Sequence, residues 1–162
     1  MIRKFKEDDT VKVMTLWTKG NFKAHPFIEK DYWLENFNKV KNEYLSESET
    51  YVYIEDEEIK GFISLLENGY IGALFVKNDC QREGIGRRLI NYVKERNSQL
   101  TLHVYEKNID ATLFYVAMGF KNKKIQIDDN TRRKRICDGM EKMKTEDDLG
   151  TEDDLGTEEK SL

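Results

Sequence analysis

Apolar runs are short throughout this chain. None approaches the roughly 18–20 residues that a membrane-crossing helix needs, so no membrane segment is expected. The N-terminal stretch MIRKFKEDDT has no apolar core behind its charges and does not read as a signal peptide. Cysteine is scarce: Cys80 and Cys137 make no disulfide framework, and neither lies in a Cys-x-x-Cys pair. Histidine is equally scarce, and the isolated His25 and His103 offer no zinc-ligand cluster. Pro26 is the only proline and marks a loop. These absences leave a reducing, cytoplasmic setting with no metal as the expectation.

A large charge of one sign is missing from the whole but not from its parts. The 162 residues carry 27 Lys+Arg and 31 Asp+Glu, a formal net charge of −4. Residues 145–162, TEDDLGTEDDLGTEEKSL, hold eight acids and one base, so that segment stands at −7 and residues 1–144 at +3. A +3 body is too weakly basic to suggest nucleic acid, which calls for a concentrated basic face. With 38% hydrophobic and 11% aromatic residues, the body has enough apolar material to bury a core. The expectation is one domain over 1–144. Beyond it, 145–162 reads as a disordered acidic repeat tail whose only large apolar residues are Leu149, Leu155 and Leu162.

Within the body, Ile2–Lys6 reads as a short strand. Asp8–Thr18 reads as a helix with its apolar face on Val13, Leu16 and Trp17, stopped by Gly20 and Asn21. A second helix runs from about Glu29 to Leu45, with Trp33, Phe37, Val40 and Tyr44 on one stripe. Three strands follow: Tyr51–Ile54, Ile59–Leu66 and Tyr70–Val76. Asn68-Gly69 is a type I′ hairpin signal between the last two. Tyr70–Val76 is nearly all apolar, as expected of a strand buried on both faces.

Gly84–Arg96 then reads as a helix, and Leu100–Tyr105 as an alternating strand with Thr101, His103 and Tyr105 on one face. Asp110–Met118 is a helix closed by Gly119, with Phe120 placed to pack back on it. Lys121–Ile127 and Arg135–Met143 are a final hairpin. Strand, helix and strand over Tyr70–Tyr105 make a right-handed crossover between parallel strands. The class is α+β: a mixed, mostly antiparallel sheet of six to seven strands with a central parallel pair and about four helices.

The informative segment is Gln81-Arg82-Glu83-Gly84-Ile85-Gly86-Arg87-Arg88, between a strand and a helix. Two glycines spaced by one let a ligand approach backbone, and the helix start favours an anion. A side chain at Gly84 is expected to block that approach. The arginines add positive charge, so phosphate or pyrophosphate cradling is implied. No Gly-Lys-Ser/Thr follows, and Leu89 stands at the third glycine position of the dinucleotide fingerprint, so neither of those motifs applies. Taken alone, the loop is also compatible with an ordinary strand–helix turn. Arg132-Arg133-Lys134-Arg135 reads as a solvated basic turn.

Gln81-x-x-Gly84-x-Gly86 resembles the Q/R-x-x-G-x-G/A signature of the GNAT N-acetyltransferase superfamily. Asn108, Ala111, Tyr115, Gly119 and Phe120 resemble the superfamily's N-x-x-A-x-x-x-Y-x-x-x-G-F element. The likeness covers essentially residues 1–143. It is nearest the small bacterial YiaC/YjaB-type members, through His25–Ile28, Asp31–Trp33 and Val104–Asn108. The resemblance implies transfer of acetyl from acetyl-CoA to a primary amine, by direct attack in a ternary complex. The acceptor it implies is a protein lysine or N-terminus, or else a small amine, and the protein a monomer or homodimer. It also implies cofactor contacts from Phe75, Val76, Gln81, Arg82, Glu83, Gly84, Ile85, Gly86, Arg87, Asn108 and Tyr115.

Tyr115 would protonate the departing thiolate. A tyrosine pKa of ~10 keeps that proton available at neutral pH. As a helical aromatic, Tyr115 equally suits a core position. A lysine amine, with a pKa of ~10.4, needs a group to take its proton. His103 stands where related enzymes carry glutamate, and it can serve as that base or sit packed in the sheet. Glu67 and Glu106 are other nearby carboxylates. His25, Phe27 and Tyr70 are the expected acceptor contacts. A non-catalytic acyl-CoA-binding module is the competing reading, supported by the loss of glutamate at His103.

Overall fold

A computed structural model describes residues 1–141. Seven strands form one mixed sheet: β1 Ile2–Lys4, β2 Glu49–Glu55, β3 Glu58–Leu66, β4 Tyr70–Val76, β5 Gln99–Tyr105, β6 Lys121–Ile127 and β7 Lys134–Glu141. Their spatial order is β1-β2-β3-β4-β5-β7-β6. Among the described residues only β4 and β5 pair in parallel; the other neighbours are antiparallel. The helices are α1 Thr10–Ala24, α2 Lys30–Lys39, a short α3 Leu45–Glu47, α4 Ile85–Arg96 and α5 Ile109–Ala117. A π-helical stretch, Val40–Tyr44, joins α2 to α3 and carries on the expected stripe: Trp33 and Val40 are buried, with Phe37 and Tyr44 packed beside them. No helix among the described residues is long and apolar enough to cross a membrane. The acidic tail, and the part of the expected final strand beyond Glu141, lie outside the described residues.

Strand alternation divides the interior into two cores. One face of the sheet packs Ile63, Ile71, Leu100 and Leu102 against Ile85, Leu89, Ile90 and Val93 of α4 and its start. The other packs Val52, Phe62 and Ala73 against Val13, Trp17 and Trp33 of α1 and α2. Each fully buried aliphatic or aromatic side chain removed from water contributes about 1.5–3 kcal/mol, so these two layers hold the fold.

The first helix does not stop where the sequence suggests. Gly20 lies inside α1 because the sheet comes too close for a side chain: a Cβ there would stand 2.2 Å from Cδ1 of Phe75. Asn21 is equally buried, and its amide donates to the Trp17 carbonyl at 2.9 Å. Glycine inside a helix costs about 1 kcal/mol relative to alanine. Here that cost is offset by close packing of α1 on β4.

The meander forms as expected, but its turn is longer than the expected two-residue type I′ hairpin. Asn68 (φ 60°, ψ 28°) and Gly69 (φ 74°) both adopt the left-handed conformation. Leu66 and Tyr70 are the last paired residues, so the connection has three residues rather than two. A Cβ on Gly69 would lie 2.1 Å from the Gln99 carbonyl oxygen, which makes this glycine the joint between the hairpin and β5. At the far end of α5, Gly119 (φ 96°) sets a Schellman turn. Phe120 N–H donates to the Tyr115 carbonyl at 3.0 Å, and Gly119 N–H to Val116 at 3.0 Å. Phe120 is thereby folded back into the core, 2% exposed.

β4 departs from a regular strand in its middle. Ser64 pairs with Ala73 and Leu65 with Ile71, which leaves Gly72 as an extra residue. This bulge reverses the alternation: Ile71 and Leu74 face one core, and Ala73 and Phe75 the other. Pairing with β5 covers Tyr70↔Thr101 and Ile71↔Leu102, and among the described residues goes no further. A gap therefore opens between the C-terminal halves of the two strands. The expectation of burial on both faces holds for Tyr70, Ile71 and Ala73, but Leu74, Phe75 and Val76 are only half-buried beside the gap.

Candidate functional site

The open end of β4 leads through a short helical turn, Asn78–Cys80, into the glycine loop and α4. Arg82 (φ 68°) and Gly84 (φ 83°) bend the chain so that α4 begins against the gap. A Cβ at Gly84 meets no protein atom within 4 Å, so within the protein this glycine answers to its backbone conformation (φ 83°), and the space beside it stays open to a ligand. Gly86 is the tight position: a Cβ there would lie 3.3 Å from Cζ of Phe114 and 3.8 Å from Cγ2 of Val76. The end of β4, the start of α4 and the flank of α5 thus converge on one small notch.

The first bond at the head of α4 runs from Arg88 N–H to the Gly84 carbonyl at 3.1 Å. By helix geometry the amides of Ile85, Gly86 and Arg87 precede it and need an outside acceptor, at the positive end of the helix dipole. Ile85 has its side chain in the core, 1% exposed, so only its backbone is available. Arg82, Glu83 and Arg87 are exposed around the loop. Gln81 braces it: its side-chain Oε1 accepts from Lys23 Nζ at 3.1 Å, and its Nε2 donates to the Val76 carbonyl at 3.4 Å. Arg88 turns away, donating to the Tyr53 hydroxyl at 2.6 Å.

Tyr115 packs on the α4–α5 side of the sheet, edge-on to Phe114 (5.3 Å between ring centres) and Phe120 (5.6 Å). His103 faces the opposite side. Its Nδ1 stands 2.9 Å from the Tyr70 hydroxyl and its Nε2 3.4 Å from the Gln126 amide nitrogen. The gap beyond Ile71 and Leu102 is the passage between the two sides. Asn108 caps α5, its side-chain Oδ1 accepting from Ala111 N–H at 3.3 Å, and its side-chain amide nitrogen lies 3.4 Å from Nε2 of His25. Phe75 keeps its ring against Gly20 and Phe62, so towards the gap it offers backbone.

The residues fit an extended ligand with an anionic end. An open glycine loop and helix amides can take phosphate oxygens, and an unpaired strand edge can take a peptide-like arm. Comparison with known proteins agrees. The Acetyltransferase (GNAT) domain family matches residues 20–137. Peptidyl-lysine N-acetyltransferase YiaC of Escherichia coli (strain K12) is 37% identical over 120 residues, covering 74% of this chain and 82% of that protein.

The chain belongs to the GNAT acetyltransferase family. Its chemistry is acetyl transfer from acetyl-CoA to an amine. The solution structure of apo YjaB from Escherichia coli superposes with a TM-score of 0.75 at 25% identity, covering 86% of this chain and 95% of that one. An aminoglycoside 6'-N-acetyltransferase solved with coenzyme A shares the GNAT fold at 16% identity and a TM-score of 0.64, covering 87% of this chain and 96% of that one. No group of three or more potential metal ligands lies among the described residues.

Several residues around this GNAT site escaped the sequence reading. Asp128, 3% exposed on the β6–β7 turn, accepts from the Tyr105 hydroxyl at 2.6 Å and from Asn130 N–H at 2.9 Å. Burial pushes its carboxyl up, but the Tyr105 hydroxyl and the Asn130 amide outweigh this, and it lies below the usual range. Arg133 donates to the Phe27 carbonyl at 3.0 Å, tying that turn to the α1–α2 loop. The basic cluster is therefore not wholly solvated, since Arg135 is also buried. Its strand alternation was visible, but partners a hundred residues away were not.

His25 is buried among aromatic rings, stacked on Trp33 (5.2 Å) and edge-on to Phe27 and Tyr105. Burial lowers its pKa from 6.5 to about 4, partly opposed by its bond to Asn21. The unfolded chain binds a proton at His25 where the folded one does not, so stability falls with pH between about 6.5 and 4. This group should contribute about 3 kcal/mol of acid destabilisation across that window. Urea melts of wild type and His25→Gln at pH 7, 5.5 and 4 check this. The wild type should lose the more stability, and equal losses would remove His25 from the acid response.

Proposed function

We propose that this GNAT enzyme acetylates lysine side chains of proteins. The observation that carries the reading is the 37% identity to a peptidyl-lysine N-acetyltransferase over a segment holding the whole glycine loop and Tyr115. Acetyl-CoA supplies an activated acyl group and a thiolate leaving group. The amides of Gly84 to Arg87 and the Arg82 and Arg87 side chains hold the pyrophosphate. Phe75 and Val76 present backbone to the pantetheine arm. Asn108 borders the arm while its side chain fixes the start of α5. The Tyr115 hydroxyl serves as the acid. His103 receives the acceptor's proton. Phe27 and Tyr70 line the acceptor side, and His25 holds the Phe27 loop in place. The catalytic domain is 1–144, with 145–162 an appendage, and the setting is cytoplasmic.

The experiment is acetyl-CoA turnover, read as released thiol, on lysine peptides and a polyamine panel. Turnover on lysine peptides well above that on polyamines is expected. Coenzyme A binding without turnover on any amine would sink the enzymatic reading, and preference for polyamines would sink the peptide reading.

A further inference from the structure

Tyr70, His103 and Gln126 come from β4, β5 and β6 and meet on the α1–α2 side of the sheet. Gln126 reaches across β7, which lies between β5 and β6. Tyr70 sits in the last rungs where β4 still pairs with β5, at the head of the gap. Its ring meets the His103 ring edge-on at 5.3 Å.

The shorter of the two contacts sets the proton positions. A phenol O–H is a stronger acid than a neutral imidazole N–H, and an imidazole nitrogen a stronger base than a phenol oxygen. So the 2.9 Å contact is strongest with Tyr70 donating to Nδ1. Nδ1 then has no proton of its own, and Nε2 carries it. An N–H at Nε2 requires an acceptor, and a half-turn of the Gln126 amide presents its oxygen at the 3.4 Å position. Both ring nitrogens are thus engaged, and an incoming amine has no direct access to either lone pair.

We propose that Tyr70 takes the proton from the acceptor amine and passes its own proton to Nδ1 of His103, with Gln126 holding the histidine in the receptive tautomer. This rests on the proton-accepting role given to His103 above. As the ammonium N–H bond breaks, its electron pair stays on nitrogen and the proton goes to the Tyr70 oxygen. The Tyr70 O–H bond breaks in concert, and that proton goes to Nδ1. Tyr70 ends neutral, the amine gains its lone pair, and the positive charge moves to the imidazolium, whose Nε2–H donates to the Gln126 oxygen. Tyr70 is then a catalytic residue and not only an apolar wall, and Gln126 is a positioning residue.

The first test needs no turnover. Long-range proton–nitrogen NMR of the unliganded protein reports the tautomer of each histidine, and His25→Gln assigns the two. His103 should carry its proton on Nε2, lose that preference in Gln126→Leu and keep it in Gln126→Glu, whose carboxylate also accepts. A proton on Nδ1 in the wild type overturns the relay. The second test is kinetic. Tyr70→Phe and His103→Gln should each lower kcat about 100-fold with little change in acceptor KM, and the double variant should be no slower than either. Loss in His103→Gln alone overturns the relay and leaves the base role standing. Loss in Tyr70→Phe alone overturns the relay by removing His103 from it. Full activity in both removes the base role itself.

Discussion

Tyr115→Phe should lower kcat about 100-fold while leaving coenzyme A affinity nearly unchanged. The substitution deletes one oxygen and keeps the ring, so the edge-on contacts with Phe114 and Phe120 survive. The Schellman turn survives too, because it uses the Tyr115 carbonyl and not its side chain. Binding should persist because the glycine loop and the head of α4 are separate from the Tyr115 hydroxyl. What disappears is a hydroxyl proton donor, and an acid of this kind is worth about 100- to 10,000-fold in rate. Steady-state kinetics with saturating peptide, together with calorimetric titration of coenzyme A, separates the two effects. Equal loss of affinity and rate would mean the hydroxyl is structural. An unchanged rate would remove Tyr115 from the mechanism.

Gly69→Ala should be the most damaging single methyl group for the fold, costing about 3–5 kcal/mol. Two effects combine. The φ of +74° is strained for any L side chain, a cost of about 1–2 kcal/mol. The new Cβ would also stand 2.1 Å from the Gln99 carbonyl oxygen, and a backbone atom cannot rotate away. Relief requires β5 to separate from the hairpin, and β4 and β5 share only two register pairs. The control is Gly84→Ala, which has the same conformational strain (φ +83°) but open space around the new atom. At about 2–4 °C per kcal/mol for a chain of this size, melting should fall by about 10 °C in Gly69→Ala, with a clearly smaller drop in Gly84→Ala. Similar melting temperatures would refute the close approach of hairpin and β5.

What the sequence made legible was local. Alternation at Leu100–Tyr105, the left-handed pair at Asn68-Gly69 and the Gly119-Phe120 closure are each written within a few residues, and each formed as read. The glycine loop and the Asn108–Phe120 element gave the site because their spacing is set by one strand–helix turn and one helix. Contacts between distant segments stayed hidden. Gly20 looked like a helix stop because its reason for being glycine is Phe75, which lies 55 residues further on. The Gly72 bulge follows from a register mismatch with β3, which no periodicity within β4 displays. Gln126 and Asp128 looked like ordinary polar residues on a hairpin until β7 and β6 folded against β5.

Among the described residues, β4 and β5 share only two register pairs where β1–β4 meet β5–β7. Mechanically the sheet is two plates sharing a short seam at one end, so it is most compliant where the seam stops. Anything seated in the opening with backbone-like hydrogen bonds on both sides would act as a strut as well as a reactant. A turnover that empties the opening would remove that strut, so product departure and loosening of the seam would be one event.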